Sequence, residues 1–103
     1  MNDAVKARLH SAGFEETTVE ELLGLTAEEM EMIETRLALS RLIKELRLKE
    51  KISQTSLAKR LGSEQGNVSR AEQGDAALSL DWMIRAAYAL GADRRQIAEA
   101  LCQ

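Results

Sequence analysis

Apolar residues recur at helical spacing along most of the chain, and capping residues divide this pattern into separate helices. Residues 1–14 show only weak periodicity and end at a predicted break at residues 11–13. Thr18, three residues before Glu21, matches a capping box, in which two side chains cap a helix start reciprocally. This box predicts a short helix that ends at Gly24, because glycine readily adopts the left-handed conformation of a helix stop.

A second capping box, Thr26 with Glu29, opens the longest predicted helix, about residues 27–49. Its apolar residues lie on two nearly opposite sides: Met30, Ile33 and Leu37, and Met32, Leu39, Ile43 and Leu46. A helix that packs into one small core needs a single apolar stripe. The second side therefore needs another partner, which is the N-terminal segment, a second copy of the chain or a different protein.

Four shorter helices are predicted after residue 52. They cover about residues 54–61, 65–73, 80–90 and 94–102, and their bounds are set by capping residues and glycines: Ser53, Gly62, Gly74, Ser79, Gly91, and Asp93 with Gln96. Proline is absent, and Phe, Tyr and Trp occur once each. Aliphatic residues in this pattern favour helices over strands, so the sequence predicts an all-α protein.

The two predicted helices on either side of Gly62 follow the pattern Gln-x3-Ala-x3-Gly-x5-Val. Each fixed position has a packing reason. A small residue at Ala58 lets the helices approach at their crossing, Gly62 accepts the positive φ of a sharp turn, and Val68 fills the gap between the helices. The predicted packing positions of the motif are Leu57, Ala58, Leu61, Gly62 and Val68.

The net charge of −3 conceals two oppositely charged segments. Between Glu15 and Glu34 there are eight acidic residues and no basic one, so this block carries −8 and the remainder of the chain +5. Between Arg41 and Arg60 there are seven basic residues against two acidic ones. An acidic front and a basic middle indicate a nucleic-acid partner, which the whole-chain charge would not suggest.

Residues suited to catalysis or metal binding are scarce. Cys102 and His10 are the only members of their kinds, and there is no phosphate loop or G-x-S-x-G sequence. We therefore expect no enzyme activity, no cofactor and no metal site. No apolar run approaches the ~20 residues that span a bilayer, and the first residues have no signal-peptide layout, so we expect a cytoplasmic protein.

Two further sequences, Ser69-Arg70-x-Glu72-x-Gly74 and Ser79-Leu80-x9-Leu90-Gly91, make the motif more specific. With them, residues 37–101 resemble the XRE/Cro-repressor family of DNA-binding domains. The stretch Leu23-Gly24-Leu25-Thr26-x-Glu28-Glu29 is similar to the antitoxin-type, HigA-like branch, whose members are often encoded beside a RelE/HigB-like toxin. The resemblance implies a five-helix, lambda-repressor-like domain at 26–103, with its motif at about 54–73, after an N-terminal helical extension at 1–25.

The resemblance also implies which side chains contact DNA. Gln54 begins the first motif helix, where the family commonly contacts a phosphate and supports the recognition helix. The positions that face the major groove are Gln65, Gly66, Asn67 and Arg70, and the usual phosphate-contacting positions are Ser69 and Gln73. Amides suit adenine and arginine suits guanine or a phosphate. Lys59 and Arg60 are candidates for further phosphate contacts.

The motif departs from the family pattern at its turn. Ser63 stands where the family has an apolar residue, and Glu64 stands where it has a Ser or Thr N-cap. Gly66 occupies a reading position but has no side chain with which to contact a base. We therefore expect thin base readout, with DNA shape or doubling by symmetry carrying more of the specificity.

Three functions remain open from the sequence. The first is a homodimeric repressor on a palindromic operator, which is also the antitoxin of a type II toxin–antitoxin pair and binds the toxin through residues 15–34. Ile97, Leu101 and the second side of the long helix are its candidate dimer surfaces. The second is a stand-alone repressor of the phage or restriction-control type. The third is a protein-interaction module that has lost DNA binding.

Overall fold

The structure, a computed structural model, describes residues 19–103 and contains helices without β-strands in that range. In chain order they are α1 (Val19–Leu23), α2 (Ala27–Glu50), α3 (Gln54–Leu61), α4 (Gln65–Glu72), α5 (Leu80–Ala89) and α6 (Arg94–Leu101). The predicted all-α class is confirmed, and each predicted helix is found within two residues of its bounds. The predicted N-cap at Thr18 and the break at residues 11–13 lie outside the described residues.

Backbone contacts divide the chain into two compact units, Met1–Glu34 and Thr35–Gln103, with the boundary inside α2. In the first unit, α1 ends at Gly24, whose φ of +69° is the predicted left-handed stop. The hydroxyl of Thr26 accepts a hydrogen bond from the Glu29 N–H at 3.1 Å and donates to the Glu29 carboxylate at 3.2 Å. These two side chains therefore form the start of α2, as the capping pattern predicts.

The two apolar sides of α2 are buried to different extents. Leu39 and Ile43 are fully buried, and Leu46 packs against them. Met32, on the same side by helical spacing, is 44% exposed, because it precedes the residues that build the core of the second unit. On the other side of the helix, Ile33 and Leu37 remain in large part at the surface. The expectation that the second side needs another partner is therefore wrong for Leu39, Ile43 and Leu46, which pack in the core of their own unit. A partner for the residues that stay exposed remains a prediction.

The core of the second unit combines a few large aliphatic side chains with many alanines. Its fully buried large residues are Leu39, Ile43, Leu57, Val68 and Met83. Alanines from α3, α4 and α5 fill the positions between them, and small side chains let helices approach closely. Helix α3 packs most extensively on α4 and also against α5. The half-buried Trp82 lies against this core.

Three of the four helices that follow α2, namely α3, α5 and α6, begin at the predicted cap position. Ser53 accepts from the Ser56 N–H at 3.0 Å, and Ser79 accepts from the Trp82 N–H at 3.0 Å. Asp93 forms a full capping box at the start of α6. These contacts each satisfy a backbone donor that the helix itself leaves unpaired. Local sequence therefore suffices to set where these helices start.

Helix α6 corrects one prediction about a dimer surface. Ile97 is only 7% exposed and belongs to the core of its own unit. It was expected at a dimer surface because a terminal helix with few apolar residues gives no sign of which of them its own core uses. Leu101, one turn further along, is 44% exposed and stays available for a partner.

Across residues 19–103, no helix is both long enough and apolar enough to cross a membrane.

The turn between α3 and α4 depends on Gly62. Its φ is +64°, and the next N–H, that of Ser63, donates to the Ala58 carbonyl at 2.9 Å. This is the hydrogen bond that closes a left-handed helix stop. The turn brings Val68 back over Ala58 and Leu61, and all three side chains are buried as the packing pattern requires.

We predict that Gly62→Ala lowers the free energy of unfolding by about 1–2 kcal/mol, because a Cβ is unfavourable at positive φ. Gly66→Ala is the matched control within the same motif, since its Cβ would meet only the Arg70 Nη1, at an ordinary 3.6 Å. That variant should be neutral or more stable by up to about 1 kcal/mol. Urea denaturation measures both. Equal destabilisation by the two substitutions would contradict this account of the turn.

Candidate nucleic-acid interface

Helix α4 has one buried side and one polar side. Val68 and Ala71 are fully buried against the core. The remaining positions, apart from Glu72, are exposed or partly covered. Together with the C-cap residue Gln73 they comprise six of the predicted DNA-contacting residues: Gln65, Gly66, Asn67, Ser69, Arg70 and Gln73. Gln65, Arg70 and Gln73 are exposed, and the other three are partly covered. The structure therefore brings these six residues together on one surface, which we call the α4 polar face.

Hydrogen bonds between side chains order the α4 polar face. Arg70 Nη1 donates to Asn67 Oδ1 at 3.1 Å, and Asn67 Nδ2 donates to the Ser63 hydroxyl at 2.9 Å. Further along, Gln73 Nε2 donates to the Ser69 hydroxyl at 3.2 Å. Residues three and four apart are neighbours on a helix surface, so their spacing allows these contacts. Arg70 and Gln73 are exposed and can exchange partners with a ligand.

Gln54 links α3 to α4 through its side-chain amide. Its Oε1 accepts from Gln65 Nε2 at 2.6 Å, and its Nε2 donates to Glu72 Oε1 at 3.1 Å. Gln65 is the first residue of α4 and Glu72 is the last. One amide on α3 therefore holds both ends of α4. This is the supporting role expected of Gln54.

The anchor behind this amide is a nearly buried ion pair between Arg47 of α2 and Glu72. Arg47 Nε and Nη2 donate to the two carboxylate oxygens at 2.5 and 3.0 Å, and the side chains are 11% and 5% exposed. Arg47 Nη1 also donates to the Ile52 carbonyl at 2.9 Å. The bidentate geometry fixes the orientation of both groups. It ties the C-terminal end of α4 to α2.

Sequence reasoning missed this ion pair. Arg47 was counted only as one base of the basic segment, and Glu72 only as part of the motif. A signal was present: Glu72 follows Val68 by four residues, and Arg47 follows Ile43 by four. Both charges therefore lie in line with fully buried residues, and charged groups are seldom buried unless they are paired. Opposite charges at two such buried positions are therefore expected to pair with each other.

The two basic residues at the end of α3 differ in their surroundings. Arg60 donates to both carboxylate oxygens of Glu50 at 2.8 and 3.1 Å, and to the Ala89 carbonyl at 3.2 Å. Its hydrogen bonds hold the pKa of the Glu50 carboxyl below the ordinary value. Arg60 is therefore already engaged with an acidic partner, which offsets its charge toward a phosphate. Lys59 is exposed, and it fits the predicted role of added backbone charge more readily.

Ser63 and Glu64, the two departures from the family pattern, change how the first turn of α4 is capped. Glu64 occupies the N-cap with an extended backbone, but its side chain makes no capping hydrogen bond. A side-chain cap would normally satisfy one N–H of the first turn. The partly covered Ser63 instead accepts from Asn67, one turn into the helix. The hydroxyl at Ser63 therefore holds one residue of the α4 polar face, Asn67.

Elsewhere on the second unit, two surface grooves flank α6. One, of about 430 Å³, has a polar lining that includes Lys49, Arg60 and Gln96. The other, of about 320 Å³, lies between α2 and α6 and includes Arg41 and Glu99. No α4 residue lines either groove. Within residues 19–103, no three His, Cys, Asp or Glu side chains are grouped so that they could hold a metal ion.

Two helices joined by a glycine turn, with the second presenting a polar face, define the DNA-binding helix-turn-helix class. A family model described as a helix-turn-helix domain matches residues 38–100, more than half of the chain. The chain belongs to this helix-turn-helix family. The match does not distinguish the antitoxin-type branch. Searches of curated proteins and of solved structures found no match.

We predict that Glu72→Leu lowers the free energy of unfolding by about 3–5 kcal/mol, because it leaves the nearly buried Arg47 guanidinium without its carboxylate partner. The double variant Arg47→Met with Glu72→Leu should recover most of this loss, since it removes both charges and retains apolar volume. Urea denaturation of the two variants measures the difference. If the double variant is as unstable as the single one, the cost does not come from an unpaired charge.

Proposed function

We propose that the chain is a homodimeric transcriptional repressor that works in the cytoplasm and binds a palindromic operator through the α4 polar face. The observation that carries this proposal is the division of α4 into two sides. Val68, Ala71 and the paired Glu72 hold it from behind, and the opposite side offers amides, a hydroxyl and an arginine. These groups suit phosphates and base edges in a major groove.

The proposed dimer follows from the small size of one recognition helix. A single helix contacts only a few base pairs, so a two-fold pair of helices about 34 Å apart would double the length of DNA that is read. Leu101 and the partly exposed Leu37 are candidates for the apolar contacts of the pair. Dimerisation matters more here because Gly66 supplies no side chain to the reading surface.

We further propose that the protein is the antitoxin of a type II pair that represses its own operon. The block from Glu15 to Glu34 carries −8, which suits a basic partner. In the described part of this block, Leu22, Leu23, Met32 and Ile33 are exposed. Apolar side chains among acidic ones form the mixture expected of a protein-binding surface. A small basic toxin fits both features.

DNA binding is tested first with Arg70→Ala. We expect its affinity for a duplex enriched from a random pool to fall by about 10- to 100-fold, because Arg70 is the only cation of the α4 polar face. Arg41→Ala is the charge-matched control, since Arg41 lines the groove between α2 and α6 and should change affinity by less than about threefold.

Fluorescence anisotropy at one fixed salt concentration measures both variants, because affinity for DNA depends strongly on salt. Equal losses for Arg70→Ala and Arg41→Ala would indicate a general charge effect and contradict the assignment of α4. If wild-type protein shows no salt-dependent affinity for any duplex, the chain acts as a protein-interaction module instead.

The antitoxin role predicts that the chain co-purifies with the product of the adjacent open reading frame, a small basic protein. Leu22→Asp should disrupt this complex by placing a charge in its apolar part, whereas Arg70→Ala should leave it intact. Size-exclusion chromatography of the co-expressed pair gives the result. A gene with no such neighbour, or a complex unaffected by Leu22→Asp, would favour the stand-alone repressor.

A further inference from the structure

A chain of hydrogen bonds leads from the turn before α4 to the guanidinium of Arg70. Ser63 accepts from Asn67 Nδ2 at 2.9 Å, and Asn67 Oδ1 accepts from Arg70 Nη1 at 3.1 Å. The two ends of the Asn67 amide therefore both have partners within the protein. The chain ends at Arg70, which is exposed.

These contacts decide which of the two side chains is ready to read a base. An asparagine pairs with adenine by presenting its carbonyl and its amine together to N6 and N7. Asn67 is partly covered and already bonds Ser63 through its amine and Arg70 through its carbonyl, so its orientation is set by the protein and it keeps one N–H and one lone pair. Arginine carries five N–H donors, and the bond to Asn67 uses one of them. Arg70 therefore keeps enough donors for a bidentate contact with O6 and N7 of guanine.

The Arg70 guanidinium lies next to Gly66. A Cβ built on Gly66 would be 3.6 Å from Arg70 Nη1, so the guanidinium lies over the first turn of α4. This agrees with the general lean of helical side chains toward the helix N-terminus. The first turn is the part of a recognition helix that contacts base edges. Gly66, which has no side chain to read a base, therefore lies beneath the guanidinium of Arg70, which can read one.

We propose that Arg70 is the principal base-reading group of α4, with guanine as its target, and that Ser63 and Asn67 are positioning residues that orient its guanidinium. The inference rests on the proposed DNA-binding function and adds to it a specific base and a division of roles. Ser63 makes no base contact in this scheme. It acts by fixing the Asn67 amide, which in turn directs Arg70.

The test is a random-pool selection with wild-type protein, Ser63→Ala, Ser63→Thr, Asn67→Ala and Arg70→Lys, scored position by position. Wild-type protein should prefer guanine over adenine by about tenfold or more at one position of each half-site. Ser63→Ala and Asn67→Ala should reduce this ratio to below about threefold while preferences at the other positions persist. Ser63→Thr retains the hydroxyl and should retain the ratio. Arg70→Lys should abolish it, because lysine lacks the planar fork.

A second measurement separates positioning from misfolding in the free protein. The Asn67 side-chain amide signals in an NMR spectrum should shift in Ser63→Ala and stay near their wild-type position in Ser63→Thr. Backbone signals outside residues 62–70 should be unchanged in both variants. Loss of those backbone signals with loss of all base preferences would mean that Ser63 is needed only for folding, and would overturn its positioning role.

Different results overturn different parts of the account. If Ser63→Ala keeps the guanine preference, the positioning role is wrong and the proposed DNA binding stands. If Asn67→Ala removes an adenine preference at another position, Asn67 itself reads a base and the inference is wrong. If wild-type protein enriches no sequence, the proposed function fails and the inference fails with it.

Discussion

The ion pair between Arg47 and Glu72 is the contact on which the placement of the recognition helix depends. It joins the longest helix to the last residue of α4, and Gln54 extends it to the first residue of α4. A buried charge pair adds little net stability compared with apolar packing, but it fixes one orientation because a misaligned pair would be costly. The placement of the α4 polar face therefore depends on a charge pair that is itself nearly buried.

The α4 polar face itself has few groups that can contact DNA. It contains one cation, its N-cap carries a negative charge, and Gly66 contributes no side chain. The small number of contacts is offset in part because these side chains are already oriented: Asn67 is hydrogen-bonded to both Ser63 and Arg70. A side chain held in place before binding loses less conformational freedom when it meets its target. In the proposed homodimer these few oriented contacts would occur twice.

The helices and their caps could be predicted from the sequence because they depend on residues within one turn of each other. Ser53, Ser79 and Asp93 cap as their spacing indicates, and Gly62 takes the positive φ that its place in the motif requires. The pairing of Arg60 with Glu50 could not be predicted in the same way, because it depends on how α2 and α3 are placed in space. The identities of the α4 polar face residues were visible in the motif, whereas their mutual hydrogen bonds required side-chain positions.

The most direct test of the central claim is NMR chemical-shift mapping of wild-type protein with a duplex enriched from a random pool. The account predicts that the largest shifts occur at Gln54 and across residues 63–73, and that they diminish as salt is raised. Shifts confined to the two grooves beside α6, with residues 63–73 unchanged, would contradict it.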